Sequence, residues 1–282
     1  MHRSIVLLSS VWLAAAAPAQ QAPPARQPAM PASSEADTAA IARAAAIGSA
    51  LFTLDRAAWV ATDAAIAALT KEALQGEGGW VIEPAADRSA VVTFFRGDPA
   101  HAQAVFVATV REGKVVERRK IDAQTPLTPI QLRLAVARAT ATTTARVGNL
   151  SPCTPAPFNS VVLPSAAAEG PIAVYLLSAQ LKAGEYPAGG HYRILIGADG
   201  KVAGERAFTR TCLTLATPAL PKGAKPVGMF VNHLLDQTPT EIHVFTSLTA
   251  RMPLFVGTPG GRVWQVAGTR ITLMRAGDAA GK

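Results

Sequence analysis

The chain has 282 residues, a formal net charge of +8, 49% apolar residues and 16% charged residues. That is enough for one large domain or two modest ones with a sizeable core. Beyond the first nineteen residues no apolar run reaches the roughly 20 needed to span a bilayer, so no transmembrane segment is expected in the mature form.

Met1, His2 and Arg3 precede an apolar run from Ile5 to Ala17 and a small-x-small site, Ala17-Pro18-Ala19. This is the pattern of a signal peptide over residues 1–19 with cleavage near Ala19/Gln20, and it places the protein in the periplasm or outside the cell. Cleavage leaves 263 residues and removes the charge of Arg3. Residues 20–33 hold four prolines with Gln, Ala and Ser, and read as a disordered leader.

The expected fold class is α+β, with N-terminal helices and a small antiparallel sheet over 34–148 followed by an antiparallel β-rich unit over 172–276. Ser34, with Asp37 three positions on, starts a helix whose Ile41, Ala45, Gly48 and Phe52 share one face. After a break at Leu54-Asp55, Trp59, Thr62, Ile66, Leu69 and Ala73 continue the helical spacing, and Gly76 to Gly79 end it. Short β-rich runs follow at Trp80–Ile82, Ala90–Phe95, Ala104–Val110 and Val115–Ile121. Thr128, Pro129 and Gln131 then form a capping box at the start of a second helix.

Residues 149–171, rich in Pro, Ser and Ala, read as a connection between the two units, and 277–282 as a tail. From Ile172 onward every apolar run reads as a strand, Glu241–Leu248 included. Glu112-Gly113, Asp199-Gly200 and Gly260-Gly261 have the chemistry of hairpin turns. Each is followed by a basic residue and Val, which either a duplicated unit or three unrelated hairpins would produce.

Cys153 and Cys212 are the two cysteines. In an exported protein an even pair reads as a disulfide, and closing a loop of about 60 residues stabilises by roughly 4 kcal/mol. The densest basic group is Arg111, Lys114, Arg118, Arg119 and Lys120. It reads either as a solvated face or as an attraction to an anionic envelope surface or acidic ligand. Nucleic acid is disfavoured by the compartment and by the lack of a recognition motif.

No nucleophile elbow, zinc-protease helix, phosphate-binding loop or dinucleotide fingerprint is present. One polar constellation stands out: His233 and Asp236, then Glu241 and His243. On a strand Glu241 and His243 share a face. With His233 and Asp236 across a hairpin they would offer ligands for a divalent metal or a carboxylate-oriented general base. The competing reading is an alternating strand with a polar outer face. No other cofactor is expected. His101 and His191 read as surface or turn residues, and Trp59, Trp80 and Trp264 as core. Ser247, about 13 Å from His243 along a strand, is too far away for a dyad.

Tyr192 to Thr211, with Ile194-Leu195-Ile196-Gly197-Ala198-Asp199-Gly200, and Pro239 to Ile271 resemble uncharacterised secreted proteins of Gram-negative bacteria. The resemblance implies the compartment and no activity. Three functions stand as expectations. The first is a non-catalytic envelope protein that binds or scaffolds an envelope component. The second is a metal-dependent or acid/base hydrolase using the His233/Asp236/Glu241/His243 cluster. The third is a small-molecule carrier.

Overall fold

Ser34 caps a helix as expected: its hydroxyl accepts the Asp37 N–H at 3.1 Å, and the Asp37 carboxylate accepts the Ser34 N–H at 2.9 Å. The helix, α1, runs unbroken from Glu35 to Ala68, a rod of about 50 Å. The computed structural model describes residues 33–70, 72, 78–99, 101–167, 169–217, 219–224 and 226–275. The expected signal peptide, the leader up to residue 32 and the 277–282 tail lie outside them.

The break expected at Leu54-Asp55 is absent, and the buried stripe of α1 is rotated from the expected one. Ala44, Gly48, Leu51, Leu54, Ala58, Ala61 and Ala65 are buried, whereas Trp59 and Ile66 are more than half exposed. The small side chains face inward because the neighbours come close. A Cβ on Gly48 would lie 2.5 Å from Val244 Cβ and 2.7 Å from the Glu241 carbonyl oxygen.

An antiparallel meander follows: β1 (Gly78–Pro84), β2 (Ala90–Arg96), β3 (Gln103–Arg111) and β4 (Lys114–Pro126), in that order across the sheet. Glu112 and Gly113 join β3 to β4 with φ of 50° and 72°, the left-handed pair that a two-residue hairpin requires. The expected basic group lies along β4, where Arg118, Arg119 and Lys120 are exposed on a sheet edge. Charge on such an edge opposes pairing with other chains.

Thr128 and Gln131 cap α2 (Pro129–Val147) as the sequence suggests. Its buried residues Leu134, Ala137, Ala141 and Ala145 share a cluster with Val81 and Phe95 of the first sheet. Ile172, Val174, Ile194 and Ile196 complete that cluster from a second sheet, which contains β5 (Asn159–Leu163), β6 (Ile172–Leu177), β8 (Tyr192–Ile196) and β9 (Val202–Ala207), all antiparallel. The 149–171 stretch, read as a connection, therefore supplies edge strand β5. Both faces of the second sheet are apolar, because Val161, Tyr175 and Leu177 join α1 and the first sheet in another cluster. The described residues form one compact unit.

A short ribbon pairs β7 (Glu185–Pro187) with β10 (Thr214–Ala216). The last sheet runs β11 (Met229–Asn232), β12 (Leu254–Thr258), β13 (Arg262–Ala267) and β14 (Arg270–Leu273). Here the expectation of antiparallel strands alone is corrected. β11 and β12 are parallel, and Glu241–Ala250 between them is a helix, α3. Parallel neighbours need a crossover, and a helix is the usual one. The β-branched sequence of this segment yields to that requirement. Pro239 precedes it, and the Thr240 N–H donates to His243 Nδ1 at 2.9 Å to close its first turn. α3 lies against α1 at Gly48 and against the last sheet through Val244.

Candidate functional site

A cleft of about 330 Å3 opens where α1, α3 and the end of the second sheet meet. On α1, Phe52, Asp55, Arg56 and Trp59 line it, at i, i+3, i+4 and i+7 spacing that puts them on one helix face. On α3, Phe245, Thr246 and Thr249 face it, with Arg251 at the helix end. The third wall comes from Asn159 of β5, Leu177 at the end of β6, Ser178 and Gln180 after it, Tyr186 of β7, and His191.

Asp55 is the unusual group. Its carboxylate is half-buried, and burial pushes its pKa up to about 6 against the opposing pull of Arg56. Among the described residues it forms no hydrogen bond or ion pair. A carboxylate withdrawn from water without a hydrogen-bonded counter-charge costs stability. Trp59, read from sequence as core, is 52% exposed beside it.

On the third wall the polar atoms of His191 and Ser178 are occupied. His191, read as a surface or turn residue, is buried. Its Nδ1 accepts the Ser178 N–H at 3.2 Å, and its Nε2–H donates to the Pro187 carbonyl at 3.0 Å. Burial holds the ring neutral, with its pKa down at about 4. The Ser178 hydroxyl lies 3.0 Å and 2.9 Å from the Gly189 and Gly190 carbonyls and accepts the Cys153 N–H at 2.8 Å. Cys153 and Cys212 form the expected disulfide. Gly190 has φ of 69°, and a Cβ there would sit 2.6 Å from Cys153 N. The staple thus lies directly behind the cleft wall.

The cluster singled out from sequence is only partly assembled. His233 Nε2 and Asp236 Oδ2 are 2.7 Å apart, and Arg206 donates to the same Asp236 oxygen at 2.6 Å. The His233 and His243 rings meet edge to face with centroids 4.7 Å apart. His243 Nδ1 is engaged by Thr240. Burial, then the neighbouring His233, His191 and Arg206, hold the pKa of His243 well below its ordinary value.

Glu241 departs from this group. On a helix it is two positions, about 200°, from His243, and it accepts hydrogen bonds from Tyr175 Oη at 2.8 Å and Arg193 at 3.5 Å instead. Among the described residues no three His, Cys, Asp or Glu side chains are placed to hold a metal ion. The helix also puts Ser247 on the same side as His243, but its hydroxyl is committed to the Met252 and Val266 carbonyls and the Gly268 N–H.

Trp264 is fully buried as expected, with its indole N–H on Thr258 Oγ1 at 3.1 Å. Trp80 is half-buried, its ring face 3.8 Å from the Arg138 guanidinium carbon. His101 sits exposed beside Asp98, as a loop residue should. The sequence signal that was missed is Asp55 itself. From sequence it reads only as part of a helix break, whereas the structure puts it on the cleft face of an unbroken α1.

No protein-family model, curated protein or solved structure matches the chain. Among the described residues no helix is long and apolar enough to cross a membrane.

Proposed function

We propose that this is an exported, non-catalytic binding protein that holds a small organic molecule in the cleft between α1 and α3. The observation that carries the reading is Asp55, an unpaired carboxylate set among the aromatic side chains of Phe52, Trp59, Tyr186 and Phe245 around one cavity. Aromatic side chains from α1, α3 and β7 share the cleft with charged and hydroxyl groups, a mixture that suits a polar organic molecule, since convergent polar groups fix a ligand's orientation. Binding is favoured over catalysis because the Ser and His at the wall spend their polar atoms on the fold. His191 has both ring nitrogens engaged and Ser178 bonds backbone groups, so neither is free as base or nucleophile. The disulfide fits an oxidising compartment.

Thermal-shift screening of the mature protein against a broad library of small polar organic molecules, followed through Trp59 fluorescence, tests the reading. Hits should quench or shift the emission, and Trp59→Ala should lose the response and weaken binding at least tenfold. A library without a single binder, or hits indifferent to Trp59→Ala, would overturn it.

A further inference from the structure

We infer that the ligand of this cleft is a zwitterion of about amino-acid size, with its cationic nitrogen against Asp55 and its anionic group toward Arg56 and Arg251. This rests on the cleft being a ligand site and names the class of ligand it takes.

The cleft carries both signs of charge: Asp55 and Arg56 are neighbours on α1, and Arg251 comes from the end of α3. Asp55 projects from α1, and no cation of the protein closes on it at ion-pair distance among the described residues. Its carboxylate is partly stripped of water, so an ammonium group would recover charge-assisted hydrogen bonds. Trp59 adds attraction between a cation and a ring face.

On the positive side, Arg56 acts on the neighbouring Asp55 through its charge, and Arg251 lines the cleft from the end of α3. Arg251 ends α3 in the left-handed region, with φ of 52° and ψ of 38°, a conformation that L side chains seldom adopt outside turns and caps. Its backbone N–H is held by α3 carbonyls, which fixes where the side chain leaves the helix. Neither Arg251 nor Arg56 forms an ion pair at contact distance among the described residues. A purely cationic ligand would meet two guanidiniums, and a purely anionic one would meet Asp55. A molecule with both charges satisfies Asp55 and the two guanidiniums together. The volume of about 330 Å3 is at the small end for ligand sites, which sets the size class.

Titration calorimetry at pH 7.5 with matched probes tests this. One series compares L-phenylalanine with phenethylamine and 3-phenylpropionate; the other compares glycine betaine with choline and 3,3-dimethylbutyrate. In at least one series the zwitterion should bind tenfold or more tightly than either single-charge analogue. Asp55→Asn and Arg251→Gln should each weaken that zwitterion at least tenfold, with the circular dichroism spectrum unchanged. If Arg251→Gln fails to fold, Arg56→Gln supplies the positive-side comparison.

A single-charge probe matching the zwitterion in both series would overturn the inference, as would an Asp55→Asn variant of undiminished affinity. If all six probes fail while the broad library yields binders, the zwitterion assignment falls and the cleft reading stands. If the library is also silent, both fall.

Discussion

Acid should unfold this protein partly through His191, and the size of that effect follows from the structure. The ring is buried and neutral, accepting the Ser178 N–H and donating to the Pro187 carbonyl. Its ordinary pKa of 6.5 falls to about 4 in the fold. Between those values the unfolded chain holds the proton and the folded chain does not, so stability rises with pH across that window. At about 1.36 kcal/mol per pH unit, the neutral ring contributes about 3 kcal/mol. That contribution is complete above pH 6.5, is lost progressively on acidification, and is gone below pH 4. Urea denaturation at half-unit steps from pH 7.5 to pH 4 measures it, with His191→Asn as the reference. The variant should start about 1–3 kcal/mol less stable, because the Pro187 carbonyl loses its donor. Its curve should then converge on the wild type as pH falls. His243 is also held neutral, in part by His191 itself, so some acid sensitivity persists in both proteins and the difference reports His191 together with its coupling to His243. Parallel curves would refute the reasoning.

Three further outcomes are expected. Gly48→Ala gains about 1 kcal/mol of helix propensity, but its Cβ meets Val244 and the Glu241 carbonyl. The net result in denaturant midpoints should be a loss of about 1–3 kcal/mol, and a stabilised variant would contradict the close approach of α1 and α3. Replacing Cys153 and Cys212 together by serine should cost about 4 kcal/mol, and a loss below about 1 kcal/mol would show that the loop is held by packing alone. For Asp55 the sign is reversed. Its pKa is about 6 in the fold against 3.8 ordinarily, so the folded state binds the extra proton and its ionisation destabilises as pH rises through that range. Asp55→Asn should therefore melt higher than the wild type at pH 7.5, with the gain shrinking toward pH 4.5; a pH-independent difference would count against a desolvated carboxylate.

What could be read from sequence was what local chemistry decides. Ser34/Asp37 and Thr128/Gln131 satisfy orphan N–H groups within three residues, so their capping boxes appear as written. Glu112-Gly113 and Asp199-Gly200 turn where glycine permits positive φ, and the cysteine pair followed from compartment and count. What escaped depends on distant partners. Glu241–Ala250 alternates like a strand, and only its place between the parallel strands β11 and β12 makes it a helix. That change of period took Glu241 away from His243 and broke up the four-residue cluster expected on a strand. The inward face of α1 was set by how closely α3 approaches Gly48, which no periodicity within α1 encodes. The cleft unites residues 52–59, 159, 177–191 and 245–251, a set that becomes visible only in three dimensions.

The position of the disulfide has a mechanical meaning. The span from Cys153 to Cys212 holds β5, β6, β7, β8 and β9, so the whole second sheet lies inside one covalent ring. Tension applied to the two ends of the chain runs through the sulfur bridge and bypasses that sheet. A chain extended by force would stop short by the 59-residue separation of the two cysteines, roughly 200 Å of contour length. A single cut by a protease within the ring would leave both fragments tethered and the third wall of the cleft still joined to the other two.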